Sequence, residues 1–170
     1  MVKITIGDKR LEFPERIQLD KWKRMVKYDF EDPDQWAQIL ATLLDEDVEL
    51  IKRCEFQSLT LAIAFTVTLI NNRKTWKCRD FNTLTLGEFI DLDVYALQSI
   101  EKNIDVMIEM IGEPTEWADE ALWLIEQYNQ FRTHTYRQYS VLFGLNDKGS
   151  EDEEDEEDWD PNRVMRSWYK

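Results

Sequence analysis

The chain has 170 residues, 43% of them hydrophobic and 12% aromatic with seven tryptophans, enough apolar material to close one sizeable core. Its formal net charge is -14 and its pI is near 4.5, a surface that repels phosphate; this excludes electrostatic binding of DNA, RNA or anionic lipid and leaves basic or polar proteins as partners. The charge is unevenly spread: residues 1–150 carry -8, residues 151–160 carry -9 and the last ten carry +3.

Val2, Ile4 and Ile6 alternate with Lys3 and Thr5, Gly7-Asp8 interrupts, and Leu11 and Phe13 resume the alternation until Pro14. Period two on both sides of a short turn predicts a β-hairpin, which needs helices beneath it to be stable. Leu19, Trp22, Met25 and Val26 then share one face of a short helix, with Lys21, Lys23, Arg24 and Lys27 opposite. Asp32 as N-cap, Pro33 at the first helical position and Gln35 at capping-box spacing predict a helix from 33 to about 44 that buries Trp36, Ile39, Leu40, Leu43 and Leu44. Asp45 is suited to cap another short helix carrying Val48, Ile51 and Cys54 on one side.

Residues 56–70 alternate through Leu59, Leu61, Ile63, Phe65, Val67 and Leu69, and they also fit a helix through Phe56, Leu59, Ile63, Val67 and Ile70. Length favours a helix ending near Asn71 or Asn72, and apolar residues on both faces predict that it is central and buried. Trp76 to Cys78 reads as a short strand or extended connection. Thr85 and Glu88 have capping-box spacing, and Leu84 is placed to staple against Phe89. A helix should therefore open at Leu86 and turn Leu86, Phe89, Ile90, Val94 and Leu97 to the core. Ile100, Ile104, Met107, Ile108 and Ile111 make a further stripe that stops at Gly112, with Pro114 barring continuation. Thr115 can cap the last and longest helix, whose apolar positions include Trp117, Ala121, Leu124, Ile125, Tyr128, Phe131 and Leu142, up to Gly144. The fold class is mainly α: a helical domain over 1–145 with a small N-terminal β-hairpin, then a disordered acidic C-terminal tail over 146–170.

The tail holds eight consecutive carboxylates, Glu151, Asp152, Glu153, Glu154, Asp155, Glu156, Glu157 and Asp158, whose mutual repulsion and lack of apolar neighbours predict disorder. Beyond them, Val164, Met165, Trp168 and Tyr169 alternate with Arg163, Arg166 and Lys170. Trp159, Trp168 and Tyr169 stand outside any predicted core, and exposed aromatics beside charge are frequent binding anchors. These three and the eight acids form the candidate partner-binding set.

Other chemistry finds little support. His134 is the sole histidine, so no histidine cluster exists, and it reads as a polar helix residue. Cys54 and Cys78 form no CxxC and no disulfide framework, which suits a reducing compartment and buried, inert thiols. The five glycines make no GxGxxG or Walker loop, and an EF-hand aligned on Gly149 would put Gly144 at the first ligand position. The pairs Asp91 and Asp93, and Glu116 and Glu120, read as solvated helix faces. The tryptophans at 22, 36, 76, 117 and 123 read as core. No catalytic residue, cofactor or metal site is assigned. The opening is not a signal peptide, and Leu59 to Ile70 falls short of the roughly 20 residues that span a bilayer, so a cytoplasmic protein is expected.

The segment Thr83 to Tyr95, TLTLGEFIDLDVY, resembles a pattern in small proteins of tailed bacteriophages, where LTLGEF or a close variant opens a helix after an extended stretch. The opening VKITIGDKRLEF, followed by proline and helices, is similar to that of phage tail assembly chaperones. The resemblance implies an acidic, mainly helical, non-enzymatic protein that holds the tape-measure protein soluble or recruits tail-tube subunits. It would act in the host cytoplasm or virion, with oligomerisation open, and it carries over no functional residue. One rival is an acidic DNA mimic that inhibits a nucleic-acid-binding protein, although a mimic should spread its carboxylates over a rigid surface. Another is an enzyme with a carboxylate-only site.

Overall fold

The computed structural model describes residues 3–6 and 9–142, and the chain divides into two compact units, residues 1–126 and 127–170. The expected class is found: among the described residues, seven α-helices follow an N-terminal hairpin. In the first unit, β1 (Lys3–Ile6) and β2 (Lys9–Glu12) pair antiparallel with Ile4 opposite Leu11 and Thr5 opposite Arg10. Leu11 and Phe13 are buried, and the Phe13 ring meets Phe65 edge-on at 5.3 Å, so the exit of the hairpin is covered by a helix.

Helix α1 (Leu19–Met25) buries Leu19, Trp22 and Met25, as its spacing predicts. Its basic face is tied down. Lys21 Nζ donates to Leu43 O at 3.0 Å and to Asp45, and Lys23 Nζ reaches the Asp105 carboxylate at 2.5 Å.

The helix expected from residue 33 opens instead as a single 3-10 turn over Pro33–Gln35, and α2 spans Trp36–Leu44. Asp32 accepts from Asp34 N, but Gln35 donates its amide to the Asp32 carboxylate and accepts from Asp29 N, so the capping box is not closed on the Asp32 backbone. Ile39, Leu40 and Leu43 are buried, while Trp36 and Leu44 are half-buried. Asp45 does not cap the next helix. It ends α2 in the left-handed region (φ 53°), which aspartate tolerates better than most side chains. The cap of α3 (Val48–Ile51) is Asp47, which has the extended backbone a cap needs and accepts from Glu49 N at 2.6 Å.

Residues 56–70 are helical, within α4 (Phe56–Asn71), but this helix is not buried on all sides. It sinks Ala62, Ile63, Thr66 and Ile70, while Phe56 is 64% and Leu61 71% exposed. Neighbours on one side of a helix cover one stripe, and the remaining apolar residues turn outward. Phe56 stacks on Trp36 with ring centroids 5.8 Å apart.

An extended connection follows and pairs Cys78 with Gly112, with Arg79 N donating to Ile111 O at 2.8 Å and Glu113 N to Lys77 O at 3.1 Å. Gly112 permits this close approach: a Cβ there would lie 2.5 Å from Lys77 O and 2.8 Å from Leu124 Cδ2. Helices α5 (Leu86–Leu97) and α6 (Ile100–Ile111) pack on each other, and α6 buries Ile100, Ile104, Met107, Ile108 and Ile111, the whole predicted stripe. Helix α7 (Ala118–Leu142) begins in this unit, where Ala118, Ala121, Leu122, Leu124 and Ile125 are buried. Its entry is fastened to the segment before α1 through Leu19 N on Glu116 O at 2.7 Å and Ala118 N on Ile17 O at 2.9 Å.

The second unit is described over 127–142, the far part of α7, where Tyr128 is buried, Phe131 is half-buried and His134 is exposed. The expected boundary at 145 and 146 and the disorder expected of the acidic tail lie outside the described residues.

Candidate functional site

The start of α5 is held by four contacts, one of them the Thr85 hydroxyl donating to Glu88 Oε2 at 2.9 Å. Thr85 Oγ1 accepts from Glu88 N at 3.2 Å, Glu88 Oε2 accepts from Thr85 N at 2.8 Å, and Arg79 Nη1 donates to Glu88 Oε1 at 2.8 Å. The Arg79 guanidinium, then the Thr85 amide and hydroxyl, lower the Glu88 carboxyl from its ordinary 4.5 to about 2. Arg79 is in turn pinned to the end of α6 through its backbone, which ties the start of α5 to α6, and α5 is rotated with Leu92 inward.

That rotation overturns the predicted core. Of the α5 side chains only Leu92 is fully buried. Leu86 is 75%, Ile90 51%, Val94 45% and Leu97 71% exposed, and Phe89 is half-buried. On a helix of 3.6 residues per turn these four exposed side chains fall within an arc of about 80°, with Leu92 on the far side. The physical reason lies in the composition of α5, which is apolar on two sides. The Leu92 side turns inward, and the other apolar side is left open. Four of the nine large apolar residues exposed among the described residues sit on this one stripe. Isolated exposed apolar residues are ordinary, whereas a contiguous apolar face marks a place where something binds.

A second cluster is buried and fully paired. Arg16 holds Asp119 through Nε at 2.8 Å and Nη2 at 2.6 Å, and Glu120 through Nη2 at 2.7 Å. Thr115 donates its hydroxyl to Glu120, and Arg16 lies over the Trp117 ring at 4.5 Å. Glu120 is 2% exposed, so its expected place on a solvated face is corrected. Arg16 compensates the two carboxylates that the fold buries, and the group works as a lock between the segment before α1 and the entry of α7. Glu116 and Asp91 are exposed, as expected of them.

The candidate partner-binding residues read from the sequence, from Glu151 to Asp158 with Trp159, Trp168 and Tyr169, lie outside the described residues. Of the two thiols, Cys54 is half-buried, and burial pushes its pKa up; Cys78 is exposed, contrary to the buried role expected, because its strand-like segment runs along the surface. Among the described residues no group of three or more His, Cys, Asp or Glu is placed to hold a metal ion, and no helix is long and apolar enough to cross a membrane. The α5 stripe was missed as a site. Its signal was available, since Leu92 and Phe89 lie off the Leu86, Ile90, Val94 and Leu97 line and give the helix a second apolar side. Comparisons with family models, with curated proteins and with solved structures return no match.

Proposed function

We propose that the chain works by binding protein and not by catalysis, as a tail assembly chaperone or tail component of the tailed-bacteriophage type. Its partner is a virion protein such as the tape-measure or tail-tube protein, met in the host cytoplasm or in the virion. The observation that carries the reading is the apolar stripe of α5, open to solvent on an otherwise packed helix pair. The helix begins within TLTLGEFIDLDVY, residues 83–95, the segment in which the resemblance to small phage proteins falls. A holding protein needs an apolar face to shield a partner's apolar segments and charge to keep the complex dispersed, and a net charge of -14 supplies the second.

The test is capture on the tagged full-length chain in cells that make it with its candidate partners, identifying the bound protein and measuring that protein's solubility. The expected result is a tape-measure or tube protein that is bound and kept in solution. Recovery of a nucleic-acid-binding enzyme would replace this reading with that of an acidic DNA mimic.

A further inference from the structure

We propose that the outer face of α5 is a docking site for an amphipathic α-helix of another protein, one whose apolar stripe is bordered by lysine and arginine. The inference rests on the protein-binding reading above and is independent of the phage assignment.

Leu86, Ile90, Val94 and Leu97 follow the i, i+4, i+8, i+11 pattern by which one helix lies along another. They span eleven residue steps, about 16 Å at 1.5 Å per residue, so the occupant needs about three helical turns. One border of the stripe specifies its charge. On the same wheel the exposed Asp91 falls about 60° beyond Val94. An occupant flanked by lysine and arginine meets a carboxylate on that border, whereas an acidic-flanked one meets repulsion there. This disfavours a second copy of the chain, because two α5 stripes laid antiparallel bring their Asp91 borders together. Gly87, on the Val94 border, sharpens the geometry. A Cβ built there meets no atom within 4 Å, so the border is open and an occupant's backbone can come close.

The experiment measures binding of the full-length chain to a fluorescent 18-residue helical peptide with a leucine stripe flanked by lysine and arginine. Two control peptides are used: one with the same charges and a serine stripe, and one with the leucine stripe flanked by glutamate. The leucine and lysine peptide should bind, and each control should bind at least about tenfold more weakly. The chain carrying Ile90→Ser and Val94→Ser should lose about tenfold or more in affinity, while Leu61→Ser on α4 should change it less than about twofold. Asp91→Lys, a second exposed position, should weaken binding several-fold and flatten its salt dependence.

Equal binding of the serine-striped peptide would overturn the proposal, since the charge of the chain alone would then explain capture. So would equal binding of the glutamate-flanked peptide, or an Ile90→Ser/Val94→Ser chain that binds as the parent does. A concentration-dependent dimer abolished by the double substitution would assign the stripe to a second copy. A chain that binds the peptide only after removal of residues 161–170 would assign it to the chain's own end. A virion partner whose capture ignores the double substitution overturns this site and leaves the proposed function standing. Peptide binding through α5 with no virion partner does the reverse.

Discussion

Helices α5 and α6 are each twelve residues long, separated by Gln98 and Ser99, and both carry a clear apolar stripe in the sequence. All five predicted inner residues of α6 are buried; of the five assigned to α5, four face solvent and Phe89 is half-buried. The difference lies in what occupies the other side of each helix. Opposite its stripe α6 places Lys102, Asp105 and Glu109 with one apolar residue, the exposed Val106, so only one orientation buries a whole apolar stripe. Helix α5 has Leu92 and Phe89 outside its stripe, so two orientations do. Periodicity states that a helix has an apolar face; when there are two such faces, the packing partner decides which is covered.

The widest test of this contrast is truncation at one inner and one outer isoleucine. Ile104→Ala should cost about 3–4 kcal/mol, the transfer and cavity terms of a fully buried side chain. Ile90→Ala, half open to water, should cost less than about 0.5–1 kcal/mol. Urea unfolding of both variants measures the difference, and equal losses would mean that the α5 stripe is packed after all.

Two glycines sharpen the contrast by opposite signs. Gly112→Ala at the end of α6 drives a methyl against the Lys77 carbonyl and the Leu124 side chain, at a cost of about 2–3 kcal/mol. Gly87→Ala in the first turn of α5 adds a methyl in open space and should stabilise by about 0.5–1 kcal/mol through helix propensity. Thermal melting should move in opposite directions for the two. A Gly87→Ala chain that melts lower would show that a neighbour covers this border of α5.

What the sequence made legible follows the range of the interaction. The hairpin, the α6 stripe and the Thr85 and Glu88 capping box depend on residues within a few positions of one another, and all were readable. The choice between Asp45 and Asp47 as cap was not, because both are good capping residues and the left-handed end of α2 takes the first. Burial of Asp119 and Glu120 could not be read either, since their charge partner Arg16 lies 103 residues from Asp119. Local spacing assigned Glu120 to water. For α5 the second apolar side was legible in the sequence, but which of the two sides its contact with α6 would cover was not. Of the candidate site, the acidic block and the tail aromatics lie outside the described residues, and the stripe that took their place was present in the sequence as an intended core.

Helix starts extend the comparison to smaller effects. Thr85→Ala removes a hydroxyl that accepts from Glu88 N and should cost about 1 kcal/mol. Ser99 makes no side-chain capping bond at α6, so Ser99→Ala should cost a few tenths of a kcal/mol at most. Denaturation midpoints of the two variants should therefore separate. If Ser99→Ala proves as costly as Thr85→Ala, the start of α6 is capped as firmly as that of α5.

The smallest effect is also the most specific, because it has a pH signature at the start of α5. Arg79 and Thr85 hold the Glu88 carboxyl at about 2 in the folded chain, against its ordinary 4.5. The native state thus binds fewer protons than the unfolded state in that window. The stabilisation is fully present above about pH 4.5 and is lost as pH falls from there through about 2. Glu88→Gln removes the charge, so the stability gap between parent and variant should be constant near neutrality and close progressively across that acid range. Because the Glu88 side chain is about one-third open to water, salt should also narrow the gap at pH 7. Urea midpoints of parent and variant, taken from pH 7 down to pH 2 at low and high salt, measure both trends. A gap that persists unchanged at pH 2 would mean that what Glu88 contributes to the start of α5 comes from its hydrogen bonds and packing and not from its charge.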